Sequence, residues 1–395
     1  GKDYIIPKPF DPRLIAEVPM AVAKAAMDSG VAGAPITDWD RYREELLSRS
    51  GDDNKVMRLL MNRAKANPKR IVFAEANHLD VLKAAQISYE DGIALPILLG
   101  NREIIEELKK ELEFDAEVPI IDPKDPSSEA TREVYAERFF EARKRSGVTL
   151  YGARTKMRER NYFGSMMVMV GDADGMITGH SRAYNNVVRP IFEVIGRAAN
   201  ITKASTAHIM ITSRGPLILA DTSINIDPNA EELAEIARMT ANLGYAFGFD
   251  PVLAMLSYSN FGSSSHPHAT KVRESVSLLH ERHPNLVVDG EIQTDFALNR
   301  NLRKTQFPFS NLVGKRVNTL IFPNLESANI TYKLLKELHG ANSIGPIMLG
   351  LRKAVHVLQL GAGVEEMVNM TAVAVIDAQE REKRKKAHMA GKKKK

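Results

Sequence analysis

From residue 54 onward the chain alternates short apolar runs with amphipathic stretches at helical spacing, and this alternation limits the possible folds more than any other feature. Residues 70–74, 95–100 and 118–122 are apolar runs of strand length, the first following Pro68. Residues 56–67, 79–91 and 104–112 instead place apolar side chains three and four positions apart. A strand that is apolar on both faces must be covered on both faces, and parallel neighbours need a crossover long enough to hold a helix. Three β-α pairs within roughly 70 residues therefore predict a parallel sheet sandwiched between helices.

The pattern continues with helices over 129–145 and 150–159, then strand material at 165–170 and 175–178 around the turn at 171–175. A helix follows at 187–199, a strand pair at 207–211 and 217–221, and a helix at 229–242. Strands at 252–257, 286–290 and 319–323 are each followed or preceded by helices, at 271–282 and from 323 to 339, and a last apolar stretch runs through 376. A chain of 395 residues exceeds what one hydrophobic core fills, so two lobes are expected. The first fifty residues differ. Residues 4–13 carry three prolines and read as extended chain, a short helix fits 19–27, and the single tryptophan, Trp39, opens a second helical patch.

Composition removes several function classes. Cysteine is absent, which excludes disulfides and thiolate chemistry. No apolar run is long enough to span a membrane, no signal-peptide pattern opens the chain, and a cytoplasmic location is expected. The net charge of +5 is concentrated at the end: residues 377–395 hold nine Lys/Arg against three Asp/Glu, so the body sums to −1. That reads as a solvated basic tail rather than a nucleic-acid surface. No dinucleotide fingerprint or P-loop follows a strand, and His266, His268 and His283 lack a third ligand at metal spacing, so no metal site is expected.

Two features point to anions. The stretch Ser257-Tyr258-Ser259-Asn260-Phe261-Gly262-Ser263-Ser264-Ser265 lies between a strand and a helix, where open α/β sheets bind ligands. Small residues there allow backbone N–H groups to face an anion; a plain polar crossover has the same composition. Arg143 and Arg189 offer planar donor forks suited to phosphate or carboxylate, or are surface charge near helix ends.

Several collinear segments between about residue 55 and 378 resemble the phosphate acetyltransferase/butyryltransferase family. Asp174-Gly175-Met176-Ile177-Thr178-Gly179 followed by Val188-Arg189-Pro190 is similar to its Asp-Gly-x-x-x-Gly…Leu-Arg-Pro block. Met255-Leu256-Ser257-Tyr258-Ser259 with Gly262-Ser263 resembles its serine loop, and Val288-Asp289-Gly290-Glu291-Ile292-Gln293 its Val-Asp-Gly-Glu-Leu-Gln segment. Phe322-Pro323-Asn324-Leu325, with Asn329-Ile330 and Tyr332-Lys333, and Gly345-Pro346 with Gly350-Leu351, complete the set.

The resemblance implies a two-lobe α/β fold like that of isocitrate and isopropylmalate dehydrogenases. Its lobes are parallel-sheet lobes, one of them discontinuous, and the cleft between them holds the ligand. It places lobe I at residues 51–199 and 345–378, lobe II at 200–344 and a basic tail at 379–395. Departures from the family pattern bear on activity. The family's catalytic Ser-Arg pair lies in Leu-Ser-Arg-Gly, which here reads Leu358-Gln359-Leu360-Gly361; its following Asp aligns with Glu366; its loop Thr-Lys becomes Asn260-Phe261. Removing several charged contacts, each worth about 10²–10³ in rate, predicts little or no transacetylase turnover.

Residues 4–14 and 21–32 look like the end of a bacterial NADP-dependent malic enzyme catalytic domain, which in hybrid enzymes runs into a phosphotransacetylase-like domain; residues 1–50 are assigned to that end and a linker. Acetyl-CoA is then the expected effector, no cofactor is expected on this chain, and NADP and a divalent metal belong to the missing malic enzyme domain. Self-association as a dimer or higher oligomer is expected, without nucleic acid or membrane. The expected acyl-CoA-binding residues are Arg143, Arg189, Ser257, Ser259, Gly262, Ser263, Asn324, Gln359, Leu360 and Glu366, with no catalytic residue retained. The rival readings are an active phosphate acetyltransferase and a purely structural oligomerisation domain.

Overall fold

The computed structural model describes residues 14–48, 52–181, 184–212, 214–339 and 343–392. The chain separates into two units, residues 1–59 with 211–216, and the remainder. In the first, α1 (Leu14–Asp28) and α2 (Trp39–Ser48) pack on each other, with Ala16 and Leu46 buried and Arg43 donating to Glu17 at 2.7 Å. Helix α1 begins five residues before the expected start, with Pro19 inside it. At the sixth position this proline removes one intrahelical hydrogen bond, and the helix nonetheless continues to Asp28. The proline-rich stretch at 4–13 lies outside the described residues.

After α3 (Asp52–Lys65), the second unit follows the expected alternation: β1 (Lys69–Phe73), α4 (Leu79–Glu90), β2 (Ala94–Leu99), α5 (Arg102–Glu111) and β3 (Ile120–Ile121). Next come α6 (Glu129–Arg143), α7 (Leu150–Lys156), α8 (Arg160–Val170), β4 (Gly175–Thr178) and α9 (Tyr184–Val194). Strands β5 (Ser205–Thr212) and β6 (Gly215–Ala220) precede α10 (Ala230–Ala246), β7 (Val252–Leu256), α11 (Pro267–Arg282) and β8 (Val287–Ile292). The chain continues through α12 (Thr294–Leu298), α13 (Arg300–Gln306), β9 (Thr319–Ile321), α14 (Leu325–His339), β10 (Ser343–Leu349), β11 (Ala354–Val357) and α15 (Val364–Lys392).

Local signals set many boundaries. The Asn101 side chain accepts from Ile104 N at 3.0 Å to start α5, and Asn229 with Glu232 forms a capping box at α10. Such caps are worth about 1 kcal/mol each. The strands form a five-stranded sheet, β11-β4-β1-β2-β3, and a six-stranded sheet, β10-β5-β6-β9-β7-β8. Every pairing in the first is parallel. The second is mixed, because β10 runs antiparallel to β5, which corrects the expectation of parallel sheets throughout. Strand β10 is buried over residues 346–349 as the parallel strands are, so its apolar run does not mark its reversed direction.

Two further expectations change. Residues 165–170 are the second half of α8, not a strand. Asn161 to Val168 are all buried, so no polar face remains to show the helical period. The helix lies close on the five-stranded sheet: a Cβ at Gly164 would sit 2.7 Å from Met176 Sδ and 3.2 Å from Val72 Cγ1. The basic tail is exposed over residues 383–387, as expected of a solvated segment, but it is helical and continues α15 as far as Lys392. Gln379 Nε2 donates to the carbonyls of Arg63, Ala64 and Asn67 at 3.2, 3.1 and 2.9 Å, and Glu382 pairs with Lys69 at 2.6 Å and with Lys386 one turn on. These contacts anchor what composition alone leaves free.

Candidate functional site

In the five-stranded sheet, connectivity reverses beside β1: the chain passes from β1 to β2 and β3 on one side, then returns to β4 on the other. The crevice beyond the C-terminal ends of such strands is where open α/β sheets bind ligands. Glu75, just past β1 and 2% exposed, holds this crevice together. Its carboxylate accepts from Gly179 N at 3.0 Å, His180 N at 2.7 Å and Ser181 Oγ at 2.9 Å, folding the loop after β4 over the end of β1. Gly179 is required there: its φ is +107°, and a Cβ would meet Val357 Cγ1 at 2.9 Å and the Leu358 carbonyl at 3.0 Å. The loop after β11 joins in, with Leu358 N donating to Thr178 O at 2.7 Å and Gly361 N to His180 O at 3.1 Å. The ring of His180 lies edge-on to His78 at 5.7 Å, and its buried Nδ1 has no hydrogen-bond partner.

Gln359 connects this crevice to the six-stranded sheet. Its amide Nε2 donates to Tyr332 Oη on α14 and faces His208 Nε2 on β5, both at 3.3 Å. His208 is fully buried and stacks on Tyr332 at 4.2 Å with 14° between the planes. Burial, reinforced by the nearby Lys336 charge, pushes its pKa down to about 3. With the amide facing Nε2, the imidazole proton resides on Nδ1 and points to Thr222 Oγ1 at 2.8 Å. Thr222 contacts Thr206 Oγ1 at 3.2 Å, and Thr206 donates to Asp221 at 2.6 Å. A continuous polar chain thus runs from Gln359 to the buried Asp221.

Strands β6, β9 and β7 are parallel, so the segments after them leave one edge of the six-stranded sheet. Thr222 follows β6, Asn324 follows β9 and the serine loop follows β7. The Asn324 side chain accepts from Ser327 N at 3.0 Å and starts α14. The serine loop closes on Glu291, which is fully buried on β8. Ser259 Oγ and Gly262 N donate to its Oε1 at 2.9 and 2.8 Å, and Arg273 Nε to its Oε2 at 3.2 Å. Ser263 Oγ meets Ser259 Oγ at 2.9 Å and accepts from Asn260 N at 3.0 Å, while Ser257 N donates to Ile292 O at 3.0 Å. The Gly262 amide is therefore directed at an internal carboxylate. Phe261, at φ 44°, packs on Phe307 and Phe309 at 4.9 and 5.0 Å.

The remaining expected residues have separate surroundings. Leu360 is 72% exposed. Glu366 accepts from Lys336 Nζ at 2.9 Å and from Gly363 N at 3.2 Å. Arg143 ends α6 half-buried, its Nε without a partner. Arg189 lies exposed on α9 and pairs with Glu193 at 2.8 Å. Burial raises the Glu193 pKa, but the bonds from Lys156, Arg189 and Tyr162 outweigh it and hold the carboxyl at about 2. Glu75, His180, His208 and Thr222 were not foreseen. The visible signals were slight: an acid directly after the apolar run at 70–74, and a histidine inside the run at 207–211. Glu291 and Tyr332 lie within recognised segments but drew no role. Among the described residues, no group of three or more acidic or histidine side chains is placed to hold a metal ion, and no helix is long and apolar enough to cross a membrane.

The family model described as "Phosphate acetyl/butaryl transferase" matches residues 55–375. The chain is 40% identical over 383 residues to the NADP-dependent malic enzyme of Escherichia coli, covering 96% of this chain and 50% of that protein. It is 37% identical over 331 residues to the phosphate acetyltransferase of Thermoanaerobacterium thermosaccharolyticum, covering 82% of this chain and 99% of that protein. A phosphotransacetylase from Streptococcus pyogenes superposes with a TM-score of 0.77 at 35% identity, covering 83% of this chain and 99% of that one. The chain spans about half the length of the malic enzymes it matches.

Proposed function

Because this chain belongs to the phosphate acetyl/butaryl transferase family, we propose that it is a regulatory acetyl-CoA-binding and oligomerisation domain of an NADP-dependent malic enzyme, without transacetylase activity of its own. The reading takes the two sheets as two lobes of an isocitrate/isopropylmalate dehydrogenase-like arrangement, with acetyl-CoA between the strand ends. Malate oxidation to pyruvate and CO2, with its NADP and divalent metal, belongs to a catalytic domain outside this sequence.

The carrying observation is the chemistry of the segment after β11. Deprotonating a thiol calls for a base whose pKa lies near neutrality. The imidazole in this network has a pKa of about 3, its Nδ1 proton directed at Thr222 and its Nε2 facing the Gln359 amide. Leu360, in the place of the family's arginine, offers no donor to a developing phosphate charge. A polar group suited to meeting a ligand persists at the crevice, the unpartnered Nδ1 of His180. The crevice is thus equipped to bind an ester and poorly equipped to react it.

Calorimetry of the purified chain with acetyl-CoA, paired with a transacetylase assay on the same sample, tests the reading. Saturable binding without turnover is expected. Turnover would establish the active phosphate acetyltransferase that the Thermoanaerobacterium relative's name suggests, and no binding would leave a structural role alone.

A further inference from the structure

A second site lies away from the crevice. A cavity of ≈ 150 Å³ opens between α10, β10 and α15. Its charged lining is Arg238, Arg381 and Arg384 with Asp377 and Glu380, and its apolar lining includes Met239, Phe247, Leu349 and Val373. Both acids already have partners. Asp377 holds Arg381 through two bonds of 2.8 and 3.0 Å, and Glu380 holds Arg63 at 2.6 Å and Lys383 at 2.9 Å. Arg238 reaches Glu235 only at 3.9 Å, and among the described residues Arg384 has no ion-pair partner.

His356 adds a donor. It is 1% exposed and lines the same cavity. Its Nδ1 accepts from Met348 N at 3.2 Å, so the proton sits on Nε2. Nε2 makes no hydrogen bond; the nearest acid, Asp377 Oδ2, lies 3.4 Å away outside bonding geometry. The Asp377 carboxylate meets this N–H only through that misaligned contact, so an acceptor on a ligand in the cavity can compete for it.

We propose that this cavity is a binding site for a phosphate monoester carrying a compact apolar body. Arginine forks suit the phosphate oxygens, the His356 N–H and the Asn242 amide supply neutral donors, and the apolar lining takes the remainder of the ligand. The proposal stands apart from the acetyl-CoA reading, since none of the crevice residues lines this cavity.

The probe is phenyl phosphate, titrated calorimetrically into the full chain beside inorganic phosphate and benzoate. Phenyl phosphate should bind saturably and at least about tenfold more tightly than either control. The double variant Arg238→Gln/Arg384→Gln should weaken it by about tenfold or more while leaving acetyl-CoA affinity unchanged. Equal affinity for all three probes, no saturation, or wild-type affinity in the variant overturns the proposal. So does a parallel loss of acetyl-CoA binding, which would make the cavity part of the acyl-CoA site. Should the double variant fail to fold, the exposed Arg384→Gln alone decides it: an affinity loss of about threefold or more supports the site, and unchanged affinity removes it.

Discussion

Glu291 organises the serine loop more than any serine in it. Its buried carboxylate gathers the Ser259 hydroxyl, the Gly262 amide and the Arg273 guanidinium, so the loop is shaped from within. Replacing it by alanine leaves those donors unmet; Glu291→Ala should cost about 1–3 kcal/mol in a urea titration, with the loop's amides gaining rapid hydrogen exchange. An unchanged midpoint would show that the loop is held by its flanking strand and helix alone. Glu193 gives a residue-scale pH dependence. Its folded pKa of about 2 lies below the ordinary 4.5, so its contribution is complete above 4.5 and is lost as pH falls toward 2. The melting temperature should fall across that window, and less steeply in Glu193→Gln. Identical pH profiles would place the acid sensitivity elsewhere.

At the scale of elements, α8 and α15 are decided by packing. Helix α8 approaches the sheet through Gly164, where even a methyl group collides with Met176. Gly164→Ala should destabilise by about 1–3 kcal/mol, the usual cost of overpacking, although alanine is the better helix former. Stabilisation on urea unfolding would mean that Met176 moves freely aside. The C-terminal part of α15 is fixed by Gln379 on the end of α3, by Arg381 on Asp377 and the Leu351 carbonyl, and by Glu382 on Lys69. Its cations are thereby held in fixed positions, which allows Arg381 and Arg384 to share a cavity wall.

Within the larger unit, α15 packs against β1, β4 and β11 of one sheet and β10 of the other, and Gln359 bonds across to Tyr332. Shared burial of this kind makes the two sheets depend on one another. Amides of β1 and β7 should therefore exchange through a single opening with one free energy, followed by mass spectrometry in increasing denaturant. Exchange of β7 at clearly lower denaturant than β1 would show two independently stable sheets.

The β-α alternation, the caps at Asn101 and Asn229 and the strand pair after residue 204 were legible because each rests on local chemistry: apolar spacing, a side chain short enough to reach its own helix, a run long enough for one strand. Helix α8 was not, because a segment buried on every side loses the polar face that marks its period. The family segments located the serine loop and the Gln359-Leu360 change, yet gave no sign that the Gly262 amide turns to Glu291 or that His208 is neutral. Those depend on burial and on partners distant in sequence: Glu75 with Gly179, His208 with Gln359, Gln379 with Asn67. By itself the sequence determined most of the alternation of helix and strand, with α8 the exception, and the segments that resemble the family. Tertiary structure alone decided which polar groups are satisfied, which imidazole is desolvated and which cations share a cavity, because each depends on what the fold places within a few ångströms.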